Sequence, residues 1–141
     1  MKVSGILEAK GNHIYSVNGE STVYDAVKLM GEKNIGALME MEGEKLNGIL
    51  SERDYARKIV LKGLSSRETL VKDIMTEKVI TITSEDSIEK CMELMSTKHF
   101  RHLPVMEKDK VIGLISIGDV VNAIIASQME TIAHLQQYIS Q

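Results

Sequence analysis

A segment that occurs twice in the sequence limits the possible folds of the chain more than any other feature. Residues 48–54 read Gly-Ile-Leu-Ser-Glu-Arg-Asp, and residues 113–119 read Gly-Leu-Ile-Ser-Ile-Gly-Asp, a shift of 65 positions. When residues 13–60 are placed on residues 78–125 without gaps, twelve of the 48 pairs are identical. An internal repeat indicates that one structural unit is used twice. We therefore expect two similar halves.

The strands of the first repeat are predicted from runs of β-branched, aromatic and aliphatic residues. Residues 13–17 form the first run, residues 36–41 the second and residues 45–50 the third. Glu-Gly-Glu at residues 42–44 separates the second run from the third and predicts a hairpin turn. The first repeat therefore contributes one separate strand and one hairpin.

Two helices complete the first repeat. Thr22 and Asp25 have the Ser/Thr-x-x-acid spacing of a helix start. Apolar residues at helical spacing follow, namely Val23, Ala26, Val27 and Met30. A second helix is predicted from Ser51 to about Leu61, with Gly63 as its C-terminal stop. Each repeat is thus predicted as β-α-β-β-α, and the fold class as α+β.

The second repeat follows the same order and ends in a longer helix. Its first strand is predicted at residues 79–83 and its hairpin at residues 101–116. Its first helix has an apolar face made of Ile88, Cys91, Met92 and Met95. After Asp119 an apolar stripe, interrupted at Gln128, continues through Val121, Ile125, Ile132, Leu135 and Ile139. This stripe predicts a C-terminal helix that extends beyond the repeat.

A short apolar segment precedes each repeat. The first segment contains Val3, Ile6 and Leu7, and the second contains Val71, Ile74 and Met75, 68 positions later. With these segments included, we expect one repeat in residues 1–66, a second repeat in residues 67–128 and a helical extension in residues 129–141.

Composition excludes several classes of protein. The chain has 141 residues, of which 43% are hydrophobic and 26% charged, as in soluble globular proteins. No apolar run approaches the roughly 18–20 residues of a bilayer span. The net charge of −3 argues against a general binder of nucleic acid or anionic membranes. Cys91 is the single cysteine, so we expect no internal disulfide and a cytoplasmic location.

The Ser-x-x-Asp element at the end of each copy has two interpretations. Ser51 with Asp54, and Ser116 with Asp119, match a capping box at a helix start. The alternative is a ligand site, because the N–H groups at a helix start favour a phosphate. The carboxylate could then accept from the two hydroxyls of a ribose, and the glycine that opens each copy would admit a flat base. The duplication of the whole element favours the ligand site.

Three further segments, taken with the doubled element, carry a family resemblance. Residues 51–54 read Ser-Glu-Arg-Asp, residues 71–76 Val-Lys-Asp-Ile-Met-Thr, and residues 101–105 Arg-His-Leu-Pro-Val. Over residues 1 to about 128 the chain resembles a pair of cystathionine-β-synthase (CBS) domains, called a Bateman module. It looks like the stand-alone single-pair proteins of bacteria and plant organelles. The resemblance implies two tandem repeats related by pseudo-two-fold symmetry, a disc-shaped homodimer and two clefts for adenosine-containing ligands.

The resemblance also implies roles for individual residues. Ser51 and Ser116 would contact phosphate, whereas Asp54 and Asp119 would bind the ribose. The adenine slots would be lined by Ile14, Ile35, Gly36, Ala37, Val79, Ile80 and Thr81.

Cationic residues should make the two sites unequal. Arg101 and His102 stand where the first repeat has Gly36 and Ala37, and the resemblance to CBS domains implies a phosphate group near them. Arg53 is a second candidate for a phosphate contact, and a solvated arginine at a helix start is the alternative. We expect one strong site and one that is weaker or differently selective.

The function implied by the resemblance is that of a regulatory module and not of an enzyme. The ligand would be AMP or NAD(H) in preference, with ATP or S-adenosylmethionine as further candidates, and the signal would pass to an unidentified partner protein. No nucleophile–base pair or metal triad can be assembled from the motifs, and His99 with His102 lacks further ligands, so no metal is predicted. The alternatives are a dimeric interaction protein with vestigial clefts and, with less support, a nucleotide-processing enzyme.

Overall fold

The computed structural model describes residues 1–11 and 13–140. Their helices and strands follow in chain order as α1 (Val3–Lys10), β1 (Ser16–Val17), α2 (Val23–Lys33), β2 (Ala37–Glu42), β3 (Lys45–Ser51), α3 (Glu52–Tyr55), α4 (Val71–Ile74), α5 (Ile88–Lys98), β4 (His102–Glu107), β5 (Lys110–Ser116) and α6 (Ile117–Ser140). The protein is of the α+β class, as predicted, and it ends in the predicted long helix.

These elements form two units that do not follow the order of the chain. Unit A contains residues 13–80 and 108–111, and unit B contains residues 1–11, 81–107 and 112–140. The helix α1 therefore packs with the second repeat, whereas α4 packs with the first. The boundaries predicted at residues 66 and 128 concern the sequence duplication, and they stay a prediction.

The sheet of unit A has the strand order β1-β2-β3. β1 runs parallel to β2, with Ser16 opposite Met39, and β2 runs antiparallel to β3, with Leu38 opposite Leu50. The strand predicted at residues 13–17 is shorter in the structure, where β1 comprises two residues. The predicted hairpin turn is confirmed, and Gly43 supplies its positive φ of 62°.

The helix α2 begins and ends at capping residues. The backbone N–H of Asp25 donates to Thr22 Oγ1 over 3.1 Å, which confirms the predicted start. The helix ends at Asn34 in the left-handed conformation, with φ 55°. One face of α2 packs into the core of unit A, whose buried members are Val23, Ala26, Met30, Leu38, Leu50, Ile59, Val71 and Ile74.

The helix predicted from Ser51 to Leu61 has the expected extent but changes its winding. After α3 the segment Ala56–Val60 is a π-helix, in which the Leu61 N–H donates to the Ala56 carbonyl over 3.0 Å. Gly63, with φ 65°, follows the helical segment as predicted. Single π-helical turns are frequent at functional sites, and this one starts two residues after Asp54.

The first strand predicted for the second repeat, at residues 79–83, is wrong in extent. A single residue of it, Ile82, makes a parallel bridge to Val105. The Ile82 N–H donates to the Pro104 carbonyl and its carbonyl accepts from Met106. Pro104 has no N–H to donate to the residue two positions before Ile82, so the ladder cannot extend upstream.

Unit B buries the apolar face of α1 together with the hairpin β4-β5 and the helix α5. Its buried members are Val3, Ile6, Leu7, Ile82, Ile88, Cys91, Met95, Leu103, Val105, Ile115 and Val120. Cys91, on the predicted apolar face of α5, is buried in this core. The helix α6 packs against α5 and α1 near its start, and every residue from 125 to 140 is exposed.

The segments α1 and α4 take equivalent places in the two units. Lys2 makes an antiparallel bridge to Ser87 in unit B, and Leu70 makes the same bridge to Thr22 in unit A. These partners are related by the same shifts of 68 and 65 positions that appear in the sequence. Each repeat is therefore completed by a segment that the sequence pattern attaches to the other repeat.

Candidate functional site

The first junction between strand and helix, from β3 into α3, is a closed capping box. The Ser51 N–H donates to Asp54 Oδ2 over 3.0 Å, and the Asp54 N–H donates to Ser51 Oγ over 3.1 Å. The Ser51 hydroxyl donates to the same Asp54 Oδ2 over 3.1 Å. The capping interpretation of this element is therefore correct, and any ligand contact has to coexist with the cap.

A lysine neutralises the other carboxylate oxygen at the first junction. Lys58 Nζ lies 3.2 Å from Asp54 Oδ1 and donates to the Ile74 carbonyl over 2.7 Å. Lys58 comes from the helical segment that α3 begins, four residues after Asp54. Both oxygens of Asp54 thus have partners within unit A.

The second junction, from β5 into α6, repeats the cap. The Ser116 N–H donates to Asp119 Oδ2 over 2.8 Å, and the Asp119 N–H donates to Ser116 Oγ over 3.1 Å. The two junctions agree within a few tenths of an ångström in these bonds. The doubled sequence element therefore produces one local geometry twice.

The lysine at the second junction comes from a different part of the chain. Lys10, at the end of α1, places its Nζ 2.7 Å from Asp119 Oδ2 and 2.7 Å from the Leu114 carbonyl. Burial raises the pKa of Asp119, but hydrogen bonds from Lys10 and the Ser116 backbone outweigh it, so the net shift is downward. The bonds from the Lys10 ammonium and the Ser116 N–H both end on Oδ2 of Asp119. Sequence reasoning missed Lys10, although the apolar residues before it marked α1 as a repeated segment.

Arg101 and His102 also lie at the second junction, and their contact with a phosphate stays a prediction. The Ile117 N–H donates to the Arg101 carbonyl over 2.8 Å, which fixes Arg101 beside Ser116. His102 follows it and is half-buried. Burial lowers the pKa of His102, the Lys10 charge lowers it further, and the Asp119 carboxylate opposes both. Lys10, Arg101, His102, Ser116 and Asp119 therefore form one cluster within unit B.

The first repeat has the same backbone arrangement, with Gly36 and Ala37 in place of Arg101 and His102. The Glu52 N–H donates to the Gly36 carbonyl over 3.0 Å, as Ile117 does to Arg101. Gly36 is half-buried, Ala37 is buried, and Glu52 adds an exposed carboxylate. Arg53 is exposed at the start of α3, and its contact with a phosphate stays a prediction. The first junction thus pairs two acids with two bases, whereas the second pairs one acid with two bases and an imidazole.

The residues predicted to line adenine slots belong to both units. Ile14 is exposed at 38% and lies in unit A with Gly36 and the half-buried Val79. Thr81 is exposed and lies in unit B. Their contact with an adenine ring stays a prediction.

The glycine that opens each copy does not leave room for a flat base, so that expectation is wrong. A Cβ on Gly48 would lie 2.6 Å from Met75 Sδ and 3.0 Å from the Thr76 carbonyl. A Cβ on Gly113 would lie 2.6 Å from Leu7 Cδ2. The short segments that precede the two repeats, α1 and α4, are called the entry segments. Gly113 lets α1 pack directly on β5, and Gly48 lets α4 with its last turn pack directly on β3.

The predicted absence of a metal site, His99 and a cavity in unit A concern parts of the molecule outside this site. No group of three or more His, Cys, Asp or Glu side chains suited to a metal occurs among the described residues. His99, considered with His102 as a metal pair, ends α5 with φ 59°. A cavity of about 590 Å³ in unit A is lined by several carboxylates and by Lys72, whose ammonium lies 2.6 Å from Glu20.

No helix among residues 1–11 and 13–140 has both the length and the apolar character needed to cross a bilayer.

Comparison with known proteins shows the family. The CBS-domain description matches residues 11–61 and 71–126. The protein CBSX3 of Arabidopsis thaliana, named as a mitochondrial CBS domain-containing protein, is 42% identical over 149 residues, which cover 97% of this chain and 71% of the plant protein. The name of that relative concerns its own location, and a cytoplasmic location for this chain stays a prediction.

Solved structures agree with the sequence match. A CBS-domain protein from Burkholderia ambifaria MC40-6 is 50% identical, with a TM-score of 0.87 over 91% of this chain and 96% of that one. The CBS domain pair of protein MJ0100 has the same fold at 22% identity, with a TM-score of 0.79 over 90% of this chain and 98% of that one. The chain belongs to the CBS-domain family and contains two CBS repeats.

Proposed function

We propose that this CBS pair is a regulatory module that binds an adenine nucleotide, with the second junction as its stronger site. The observation that carries the proposal is the cluster at that junction. A carboxylate at a helix start lies there beside the Lys10 ammonium, with Arg101 and His102 adjacent. A nucleoside monophosphate offers a matching pair of groups, since its ribose hydroxyls donate to a carboxylate and its phosphate accepts from cations.

Asp119 can bind a ribose while keeping its cap. Oδ2 accepts from Ser116 and Lys10, and Oδ1 can accept from one or both ribose hydroxyls. A bond to a charged acceptor is worth roughly 1.5–3 kcal/mol. The phosphate would then lie toward Lys10 and Arg101 and near the N–H groups at the start of α6, where the helix dipole favours an anion.

The first junction supports a weaker or differently selective site. Lys58 holds Asp54 Oδ1, and the Ser51 hydroxyl is directed at Asp54 Oδ2. A ribose would have to displace one of these partners, and Glu52 would repel a phosphate. A ligand without phosphate fits this junction better than a nucleotide does.

A relative supports the adenosine part of the proposal. The CBS domain pair of MJ0100 was solved in complex with 5′-methylthioadenosine and S-adenosyl-L-methionine. Both ligands contain adenosine and neither contains phosphate. The cationic cluster of the present chain is the reason to propose AMP or NAD(H) for its second junction instead.

The regulatory step would act through α1. Lys10 joins α1 to Asp119, so a phosphate that attracts the Lys10 ammonium changes how α1 is held on unit B. A ligand shifts a conformational equilibrium only by its difference in affinity for the two states. The partner protein that reads this shift, and the homodimer that would transmit it, belong to the proposal as well.

Titration calorimetry with AMP, ADP, ATP, NADH and S-adenosylmethionine tests the proposal. We expect two unequal sites, with Asp119→Ala abolishing the stronger one and Asp54→Ala the weaker one, while circular dichroism shows both variants folded. Two equal sites, or binding retained at both sites in both variants, contradicts the assignment.

A second candidate function rests on the caps themselves. Because both aspartates already have intramolecular partners, the junctions could serve folding alone, in an interaction protein with vestigial clefts. A ligand at a hundredfold excess over its Kd stabilises a protein by about 2.7 kcal/mol. Absence of any thermal shift with the five ligands favours this candidate, and product analysis after incubation with them separates both from an enzyme.

A further inference from the structure

In the described part of the chain, every residue in the second half of α6 is exposed. Val120 is the last residue of α6 that is buried, and residues 125–140 are all exposed. These 16 residues extend for about 24 Å at the helical rise. An isolated helix of this length is marginal in water, and helices in proteins gain most of their stability from packing an apolar face.

The exposed apolar residues of α6 follow a heptad pattern. Position a is occupied by Ile125, Ile132 and Ile139, and position d by Val121, Gln128 and Leu135. The exposed fraction of the a-position isoleucines rises from 49% at Ile125 to 81% at Ile139. Apolar residues at a and d in successive heptads are typical of a coiled coil, and Gln128 is the polar exception here.

We propose that this stripe, defined as the a and d positions of residues 121–139, pairs with the same stripe of a second copy. The two helices form a parallel two-stranded coiled coil. Isoleucine at a with leucine at d favours two parallel strands, and the chain has isoleucine at all three a positions and leucine at d in Leu135. Gln128 meets its own counterpart across the pair, which fixes the register at a cost in stability.

The flanking positions of the stripe carry no charges that would oppose a second copy of the helix. Positions e and g hold Asn122, Met129, Gln136, Ile124, Thr131 and Tyr138, none of which is charged. Glu130, at the outward position f, is the only acidic or basic residue in residues 121–140, with His134 at position c. Two copies can therefore approach without charge repulsion, and no pattern of charges selects a partner of complementary sign.

The exposed area is sufficient for a specific interface. Seven large apolar side chains of the helix are at least two-fifths exposed, namely Val121, Ile125, Met129, Ile132, Leu135, Tyr138 and Ile139. At roughly 100 Å² each, two copies would bury about 1,400 Å², within the range of about 1,200–2,000 Å² for stable complexes.

Disulfide trapping on the full chain tests this geometry. Ile125→Cys and Ile139→Cys are each made in a Cys91→Ala background, with Ala133→Cys at an outward position as the matched control. In a parallel pair both a positions face themselves, so both variants form a covalent dimer in a glutathione redox buffer. We expect the dimer fraction of each to exceed that of the control at least tenfold.

Each other outcome overturns part or all of the proposal. If Ile125→Cys forms a disulfide only in a mixture with Leu135→Cys, position a faces position d, the helices are antiparallel and the parallel geometry is wrong. If neither variant exceeds Ala133→Cys, the stripe is covered by something else, such as a foreign helix. A second measurement is the mass in solution, which Ile132→Glu with Ile139→Glu should reduce and Ala133→Glu with Gln137→Glu should not.

Discussion

The two junctions between strand and helix have the same backbone geometry and differ in the charged side chains around them. Both close the same capping box, with Asp N–H to Ser Oγ distances of 3.1 Å in each. Lys58 approaches Asp54 from the same helical segment, whereas Lys10 reaches Asp119 from a helix 109 residues earlier in the chain. The doubled motif therefore determines the cap, and residues outside the motif determine what each junction can bind.

This difference follows from the exchange of the entry segments. Counted by the shift of 68 positions, the counterpart of Lys10 is Lys78, which is exposed and lies beyond α4. The helix α1 is longer than α4 by its last turn, and this turn brings the Lys10 ammonium to the second junction. A small change in helix length thus makes two duplicated sites unequal.

The largest expected effect concerns the glycines before the junctions. Gly48→Ala should lower the free energy of unfolding by about 1–3 kcal/mol, because its Cβ meets Met75 and the Thr76 backbone carbonyl. Gly113→Ala should cost less, because its Cβ meets the end of the Leu7 side chain, which can rotate. Urea unfolding followed by circular dichroism measures both. Equal losses of unfolding free energy would mean that the backbone around Gly48 adjusts to the added Cβ as easily as the Leu7 side chain does.

The next effect concerns the two lysines. Lys10→Met should weaken AMP binding at the second junction about tenfold, or about 1.4 kcal/mol, since one phosphate contact is lost. Lys58→Met, the matched control, removes the same charge beside Asp54 and should leave that affinity unchanged. Titration calorimetry at two salt concentrations gives both values. A larger loss for Lys58→Met would place the nucleotide at the first junction.

The capping serines should reveal what the junctions have in common. Ser51→Ala and Ser116→Ala each remove one helix cap, and each should lower the free energy of unfolding by about 1 kcal/mol. The same urea experiment measures them, with Ser140→Ala at the exposed end of α6 as a control. A loss in one variant alone would show that the two caps are not equivalent.

The smallest effect is a pH dependence at the second junction. The pKa of His102 is lowered from 6.5 by burial and by Lys10, so the unfolded chain binds a proton more readily than the folded one. The contribution of His102 to the free energy of unfolding is therefore complete above about pH 6.5. It decreases as the pH falls toward the lowered pKa. His102→Asn should remove this part of the slope in unfolding experiments, and the exposed His13→Asn should not. An unchanged slope in His102→Asn would assign the pH dependence to another group.

Much of the fold could be predicted because local signals and duplication agree. Thr22, Gly43 and Gly63 act through the backbone of their own neighbours, so the sequence pattern shows their roles directly. The order of strands and helices followed for the same reason. The shortened strand before Ile82 was also visible in principle, because Pro104 in its partner lacks the N–H that a longer ladder needs.

The missed features depend on contacts between distant parts of the chain. Lys10 reaches Asp119 only after α1 has packed on the second repeat, and no local pattern indicates that packing. Leu7 and Met75 fill the space beside the two glycines for the same reason. The roles of Arg53, Ile14, Val79 and Thr81 remain predictions, because a contact with a ligand cannot be derived from the backbone alone.

The exchange of α1 and α4 has a consequence for fragments of this protein. A fragment of residues 13–80 retains its sheet together with α4, which seals that sheet, so it is the better candidate for autonomous folding. A fragment of residues 67–141 lacks α1 and leaves Gly113 and the apolar surface around it open to water. A cut at the midpoint of the duplication, near residue 66, therefore separates each unit from the short helix that completes it.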